Sequence, residues 1–158
     1  MSNLVADEGL TPLDPAYVTM MRVQAALLAL PFVIGALVGE VAGELFPGAF
    51  LVPVVLVALV LALMVPLRRY NARGYDMGED RLRVVRGLLF HRDTVVPFGR
   101  VQHLDVEQGP LERAFGIARL VLHTAGTHNA SVVLPGLAHA RAVEMREAIR
   151  QHVKREIV

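Results

Sequence analysis

The chain has 158 residues, no cysteine and no tryptophan, and 54% of its residues are hydrophobic, above the ~45–50% usual for a soluble domain. The absence of cysteine excludes disulfides, thiolate nucleophiles and zinc–thiolate centres. The net charge of +1 hides a split: residues 1–67 carry one Arg against five acids, and residues 68–158 carry fifteen Lys and Arg against ten acids, so two unlike halves meet near Leu67.

Residues 1–19 hold Pro12, Pro15 and three acids with no Lys or Arg. They lack the positive start of a secretory signal and read as a flexible N-terminal tail. Residues 20–67 are predicted to form two transmembrane helices, about 22–43 and 46–67. Residues 25–39 are uncharged, and apolar character resumes after Glu40; residues 45–67 are uncharged throughout. Crossing ~30 Å of hydrocarbon takes ~20 apolar residues. The second run meets this directly, and the first does so with Glu40 at the interface. Pro31 and Pro53 would interrupt soluble helices but are tolerated in membrane-spanning ones. Gly35, Gly39 and Gly43 recur every fourth residue in GALVGEVAG. On a helix they form a groove suited to close helix packing, filled either by the second span or by a partner's helix.

The connection near residues 44–48 carries no Lys or Arg, whereas Arg68, Arg69 and Arg73 follow the second span and Arg22 begins the first. The positive-inside rule then places both termini in the cytoplasm, with the chain in the cell (inner) membrane.

Residues 68–158 are predicted to be a strand-rich cytoplasmic domain. RGYDMGEDRLRVVRG suggests a hairpin turning at residues 78–80, and LLFHRDTVVPF follows it. From Val101, Leu104 and Val106 alternate with His103, Asp105 and Glu107, and after a turn Leu120 and Leu122 alternate with Arg119, Val121 and His123. Period-two alternation marks half-buried strands. Between them, GPLERAFG carries two glycines, and Leu111 and Phe115 share one face of a helical turn. AGTHN reads as the turn before a last strand, ASVVLPG. Residues 138–153 form the terminal helix, with Ala138, Ala142, Met145, Ile149 and Val153 in one apolar stripe.

The succession PFGRVQH, QGPLERAFG and LHTAG resembles, in order and spacing, the bacterial pleckstrin-homology-like domain, in particular the YdbS-like membrane proteins. The resemblance covers most of the chain. It implies an α+β fold: a two-helix transmembrane hairpin followed by a bent antiparallel β-sheet or barrel closed by one C-terminal helix. It also implies a complex with a larger membrane protein carrying several copies of the same domain. Periodicity alone supports only a strand-rich unit ending in a helix.

Three residue groups are candidates for function. Arg81, Arg83, Arg86 and Arg92 offer guanidinium groups suited to anionic lipid headgroups, and Arg81-Leu82-Arg83 resembles the basic pair of phosphoinositide-binding pleckstrin-homology domains. Neighbouring Asp76, Glu79, Asp80 and Asp93 make a neutralised, solvated face the plainer interpretation. His103, Asp105 and His123 would meet if the central hairpin pairs in simple register, offering two imidazoles and a carboxylate to a metal and, with it, metal-dependent catalysis. A hydrogen-bonded polar sheet face is the plainer account, and Glu107 opposite Arg119 fits the same register as a charge pair. The glycine stripe is the third.

No nucleophile elbow, phosphate-binding loop or dinucleotide fingerprint is present. No catalytic residue, metal or cofactor is assigned on this basis. The basic half lacks the clustered aromatics of a nucleic-acid surface. The expected role is binding or scaffolding at a membrane, with membrane lipids, a second membrane protein or a second copy of the chain as partners.

Overall fold

The computed structural model describes residues 9–43, 48–88, 90–125 and 131–156. In chain order the elements are β1 (Thr11–Pro12), α1 (Ala16–Ala42), α2 (Leu51–Asn71), β2 (Arg73–Met77), β3 (Arg81–Arg86), β4 (Arg92–Pro97), β5 (Val101–Glu107), α3 (Pro110–Ala114), β6 (Ile117–Thr124), β7 (Ser131–Ala138) and α4 (His139–Glu156). The chain divides into two compact units. One comprises residues 9–17 and 69–156 of those described, and the other residues 18–43 and 48–68.

In the second unit, α1 is 27 residues and α2 is 21 residues long, both apolar enough to cross a membrane. At 1.5 Å per residue they reach ~40 and ~31 Å, enough for the ~30 Å hydrocarbon core. Large side chains such as Leu28, Phe32, Val38, Leu56 and Val57 are exposed, as lipid-facing residues would be. The helices begin at Ala16 and Leu51 rather than near residues 22 and 46. The loop at residues 44–47 lies outside the described residues. Glu40 has a defined role: its carboxylate accepts the backbone N–H groups of Gly48, of Phe50 at 3.0 Å and of Leu51 at 3.2 Å. Those donors open α2 and have no partner inside the helix, so the one charge in the first apolar run caps the second helix.

The first unit holds two antiparallel sheets, β1-β2-β3-β4 and β5-β6-β7, with α4 packed on β5, β6, β7 and the short turn at Phe98–Arg100. This is the expected α+β arrangement of apolar helices, antiparallel sheets and one closing C-terminal helix. Leu82, Val84, Val96 and Phe98 are buried, as are Ile117, Leu120, Leu122, Leu134 and Leu137. The predicted helix stripe supplies Ala142, Met145 and Ile149, all at most 1% exposed. Phe98 meets the His152 ring edge-on at 5.4 Å. The α4 helix starts at His139 and continues to Glu156, so Ala138 belongs to β7 instead.

The predicted tail needs correction. Residues 9–17 pack into the domain: Leu10, Leu13 and Tyr17 are buried, and Thr11 and Pro12 pair with Tyr75 and Gly74. Asp14 donates its N–H to Gly136 O at 2.7 Å, and its side chain accepts the Ala16 N–H at 2.8 Å where α1 begins. Tyr70 Oη donates to Leu13 O at 2.7 Å. Three buried side chains and a strand pairing offset the ordering entropy that polar composition alone suggests would win.

Candidate functional site

The hairpin of β2 and β3 turns at residues 78–80 as predicted, which fixes which arginines meet. Arg73 pairs with Arg86, and Arg86 with Arg92, so three arginines face the same side at one end of the four-stranded sheet. Tyr75, Val84 and Thr94 form the next rung, and Met77, Leu82 and Val96 the one after, on the core-facing side. Arg81 and Arg83 lie on the opposite face. The four arginines singled out from sequence therefore do not form one patch.

Arg83 is neutralised. Its Nε lies 3.1 and 2.9 Å from the two Asp93 oxygens and its Nη2 2.7 Å from Oδ2, a forked carboxylate pair. The hydrogen bond from Arg83 holds the Asp93 carboxyl below its usual range. Arg81 is exposed opposite Pro97. Arg86 is half-buried and donates from Nη2 to Val133 O. Burial, then the charges of Arg73 and Arg92, push its guanidinium below the usual value. Arg73 donates to Tyr17 Oη at 2.6 Å and lies 5.9 Å over the Tyr17 ring. Among the described residues, no ion pair links a carboxylate to Arg73, Arg86 or Arg92. Arg73 was missed as a site residue in the sequence, although pairing outward from the turn at residues 78–80 places it opposite Arg86.

In the central hairpin His103 lies opposite His123 and Glu107 opposite Arg119, as simple register requires; Val101 and His103 flank a bulge. His103 Nε2 is 3.2 Å from Asp105 Oδ1, and His123 Nε2 is 3.4 Å from Oδ2. The rings are 6.2 Å apart, so each imidazole takes its own carboxylate oxygen. Among the described residues no three His, Asp or Glu side chains are arranged to hold a metal ion. Arg119 also reaches Glu112 at 3.0 Å, and Glu112 accepts the Gly109 N–H at 2.6 Å, locking the GPLERAFG turn. That cluster gives Glu112 a structural role in the turn.

Gly35 and Gly39 lie inside α1, whereas Gly43 follows its last residue and donates to Gly39 O at 3.0 Å. Side-chain atoms placed at Gly35 or Gly39 would meet nothing within 4 Å. At Gly43 an added Cβ would instead lie 2.9 Å from Gly39 O and 3.8 Å from the Phe50 ring.

The family described as "Bacterial PH domain" matches residues 18–153, most of the chain. The chain belongs to the bacterial PH domain family. This PH-domain chain is 28% identical over 92 residues to the UPF0699 transmembrane protein YdbS of Bacillus subtilis, covering 58% of this chain and 56% of that protein. It is 26% identical over 123 residues to the UPF0699 transmembrane protein YdbT of the same organism, covering 77% of this chain and 24% of that one. The chain thus spans about half the length of the first relative and a quarter of the second. No solved structure matches it. With two helices long enough to cross a bilayer and relatives named as transmembrane, it is a membrane protein of a PH-domain family, which is not a known enzyme family.

Proposed function

We propose that this protein is a membrane-anchored binding or scaffold protein that presents its PH domain at the cytoplasmic face, in a complex with a second membrane protein carrying related domains. The observation that carries this reading is the open face of α1. Lipid tails are as apolar as leucine, so apolar exposure alone needs no protein partner. A glycine groove is different: it lets another helix backbone approach closely, and among the described residues nothing lies within 4 Å of a Cβ placed at Gly35 or Gly39. The match of 77% of this chain to 24% of a longer transmembrane relative supports a partner built from the same kind of module. Arg68, Arg69 and Arg73, all at or just after the end of α2, and the lack of Lys or Arg between the helices support cytoplasmic termini.

Affinity purification of the tagged full chain from native membranes, after cross-linking in mild detergent, tests the complex by mass spectrometry. The expected result is a second, longer membrane protein containing the same domain type, enriched in constant ratio to the bait. Recovery of the chain alone or only as copies of itself would contradict it.

A further inference from the structure

Residues 9–17 form a strap that reaches both sheets of the PH domain. Thr11 and Pro12 pair with Tyr75 and Gly74 along the edge of β2 away from β3. Leu10 is buried together with Val85 of β3. Farther along, Asp14 donates its N–H to Gly136 O of β7 at 2.7 Å, so the strap ties the first sheet to the second.

The domain provides a fitted seat for it. Gly136, at φ +70°, leaves the space that Tyr17 fills, and a side chain there would come within 2.6 Å of the ring. Arg73 donates to Tyr17 Oη at 2.6 Å, and Tyr70 Oη donates to Leu13 O at 2.7 Å. Leu13 is 2% exposed. A strand pairing of two residues does not hold on its own, so the buried Leu10, Leu13 and Tyr17 side chains carry the association.

The order of the elements gives this packing a consequence. The strap precedes α1, whereas β2, β3 and β7 all follow α2, so the chain runs through both apolar helices between the strap and its seat. Strands cannot pair across ~30 Å of hydrocarbon. A single crossing would leave strap and sheet on opposite sides of the membrane, and the effective concentration of one at the other would fall to nearly zero. Two crossings return them to the same side. Residues 9–17 also precede the stretch 18–153 matched by the family, so family membership does not by itself imply the strap.

We infer that residues 9–17 are a clasp that makes completion of the PH domain conditional on α1 and α2 both having crossed the membrane. The clasp couples insertion to folding. A chain with one helix across is left with an open β2 edge and an empty apolar seat, features that promote aggregation and proteolysis. A chain with both across closes its own domain. The clasp works on whichever side the domain lies and with any partner, so it stands apart from the proposed scaffold role.

The absence of cysteine makes the test direct. Thr11→Cys, exposed in the strap, and Val95→Cys, half-exposed on β4, are introduced singly into the full chain. A membrane-impermeant maleimide added to sealed vesicles is expected to reach both positions from the same side. Hydrogen exchange on the same vesicles reads whether the domain is closed. Leu13→Ala should speed exchange at least about tenfold in β2, β3 and β7 as well as in the strap, while the exposed Thr11→Ala should leave those strands unchanged. Val57→Arg with Leu61→Arg, at exposed positions of α2, is designed to stop that helix from crossing. It should place positions 11 and 95 on opposite sides and remove protection throughout the domain; retained protection is expected only with both on one side. Faster exchange confined to residues 9–17 in Leu13→Ala would overturn the inference, because the domain would then be complete without the clasp. So would a protected domain with the two positions labelled from opposite sides, or lost protection with both still on one side.

Discussion

Replacing Gly136 with alanine is expected to destabilise the PH domain by about 2–5 kcal/mol, from two separate causes. Gly136 has φ +70°, a left-handed conformation that costs a residue with a side chain about 1–2 kcal/mol. Its α-carbon also faces Tyr17: an added Cβ would lie 2.6 Å from Tyr17 Cγ, 2.8 Å from Cδ1 and 3.1 Å from Cβ. Tyr17 is buried and its ring sits beneath Arg73, so it cannot yield freely, and overpacking of this kind costs about 1–3 kcal/mol. Total stability of a domain is about 5–15 kcal/mol, so the loss is a large share of it. Gly116→Ala is the matched comparison. Its φ is +67° but an added Cβ meets nothing within 4 Å, so only the backbone cost applies. Denaturant unfolding of both variants should show Gly136→Ala clearly the weaker. Equal losses would mean that the close approach to Tyr17 carries no energy.

The second large effect is expected from Gly35→Leu combined with Gly39→Leu. Both residues lie on one face of α1, four apart, and among the described residues nothing lies within 4 Å of a Cβ placed at either. Leucines there should leave the abundance of the protein unchanged while forcing a docked partner helix away. Recovery of the co-purified membrane protein should fall about tenfold or more, the mark of roughly 1.4 kcal/mol of lost association energy. A fall in abundance of the chain itself would instead assign the groove to packing within the chain. Normal abundance with full partner recovery would remove any packing role for these glycines.

Much of the domain was legible because its signals are local. Alternation from Val101 to Glu107 and from Ile117 to Thr124 announced the central hairpin, and simple register then placed His103 against His123 and Glu107 against Arg119. The stripe of Ala142, Met145 and Ile149 announced the closing helix. What escaped depends on contacts distant in sequence. Residues 9–17 have no periodicity, and their place in the domain comes from Leu10, Leu13 and Tyr17 filling space between elements more than fifty residues away. Pro135 and Gly136 punctuate ASVVLPG like the end of a strand, yet β7 continues to Ala138. Ala118 pairs with Leu137 and Leu120 with Leu134, so β7 carries an extra residue there, a bulge that the left-handed glycine permits. The predicted AGTHN turn falls largely outside the described residues. Glu40 was recognised as a charge to be placed at the interface, but its capping of α2 needed the fold. The arginine candidates erred for a simpler reason. Nearness in sequence grouped Arg81 and Arg83 with Arg86 and Arg92, whereas strand alternation divides them and brings in Arg73.

The proposed scaffold role depends first on the domain lying at the cytoplasmic face of the membrane. Fusing a compartment-specific reporter after Val158 in the full chain tests that placement. The arginines at the end of α2 and their absence from the connection between the helices predict activity only from a reporter that works in the cytoplasm. Activity only from a reporter that works outside the cytoplasm would contradict the orientation, and with it the scaffold role at the inner face.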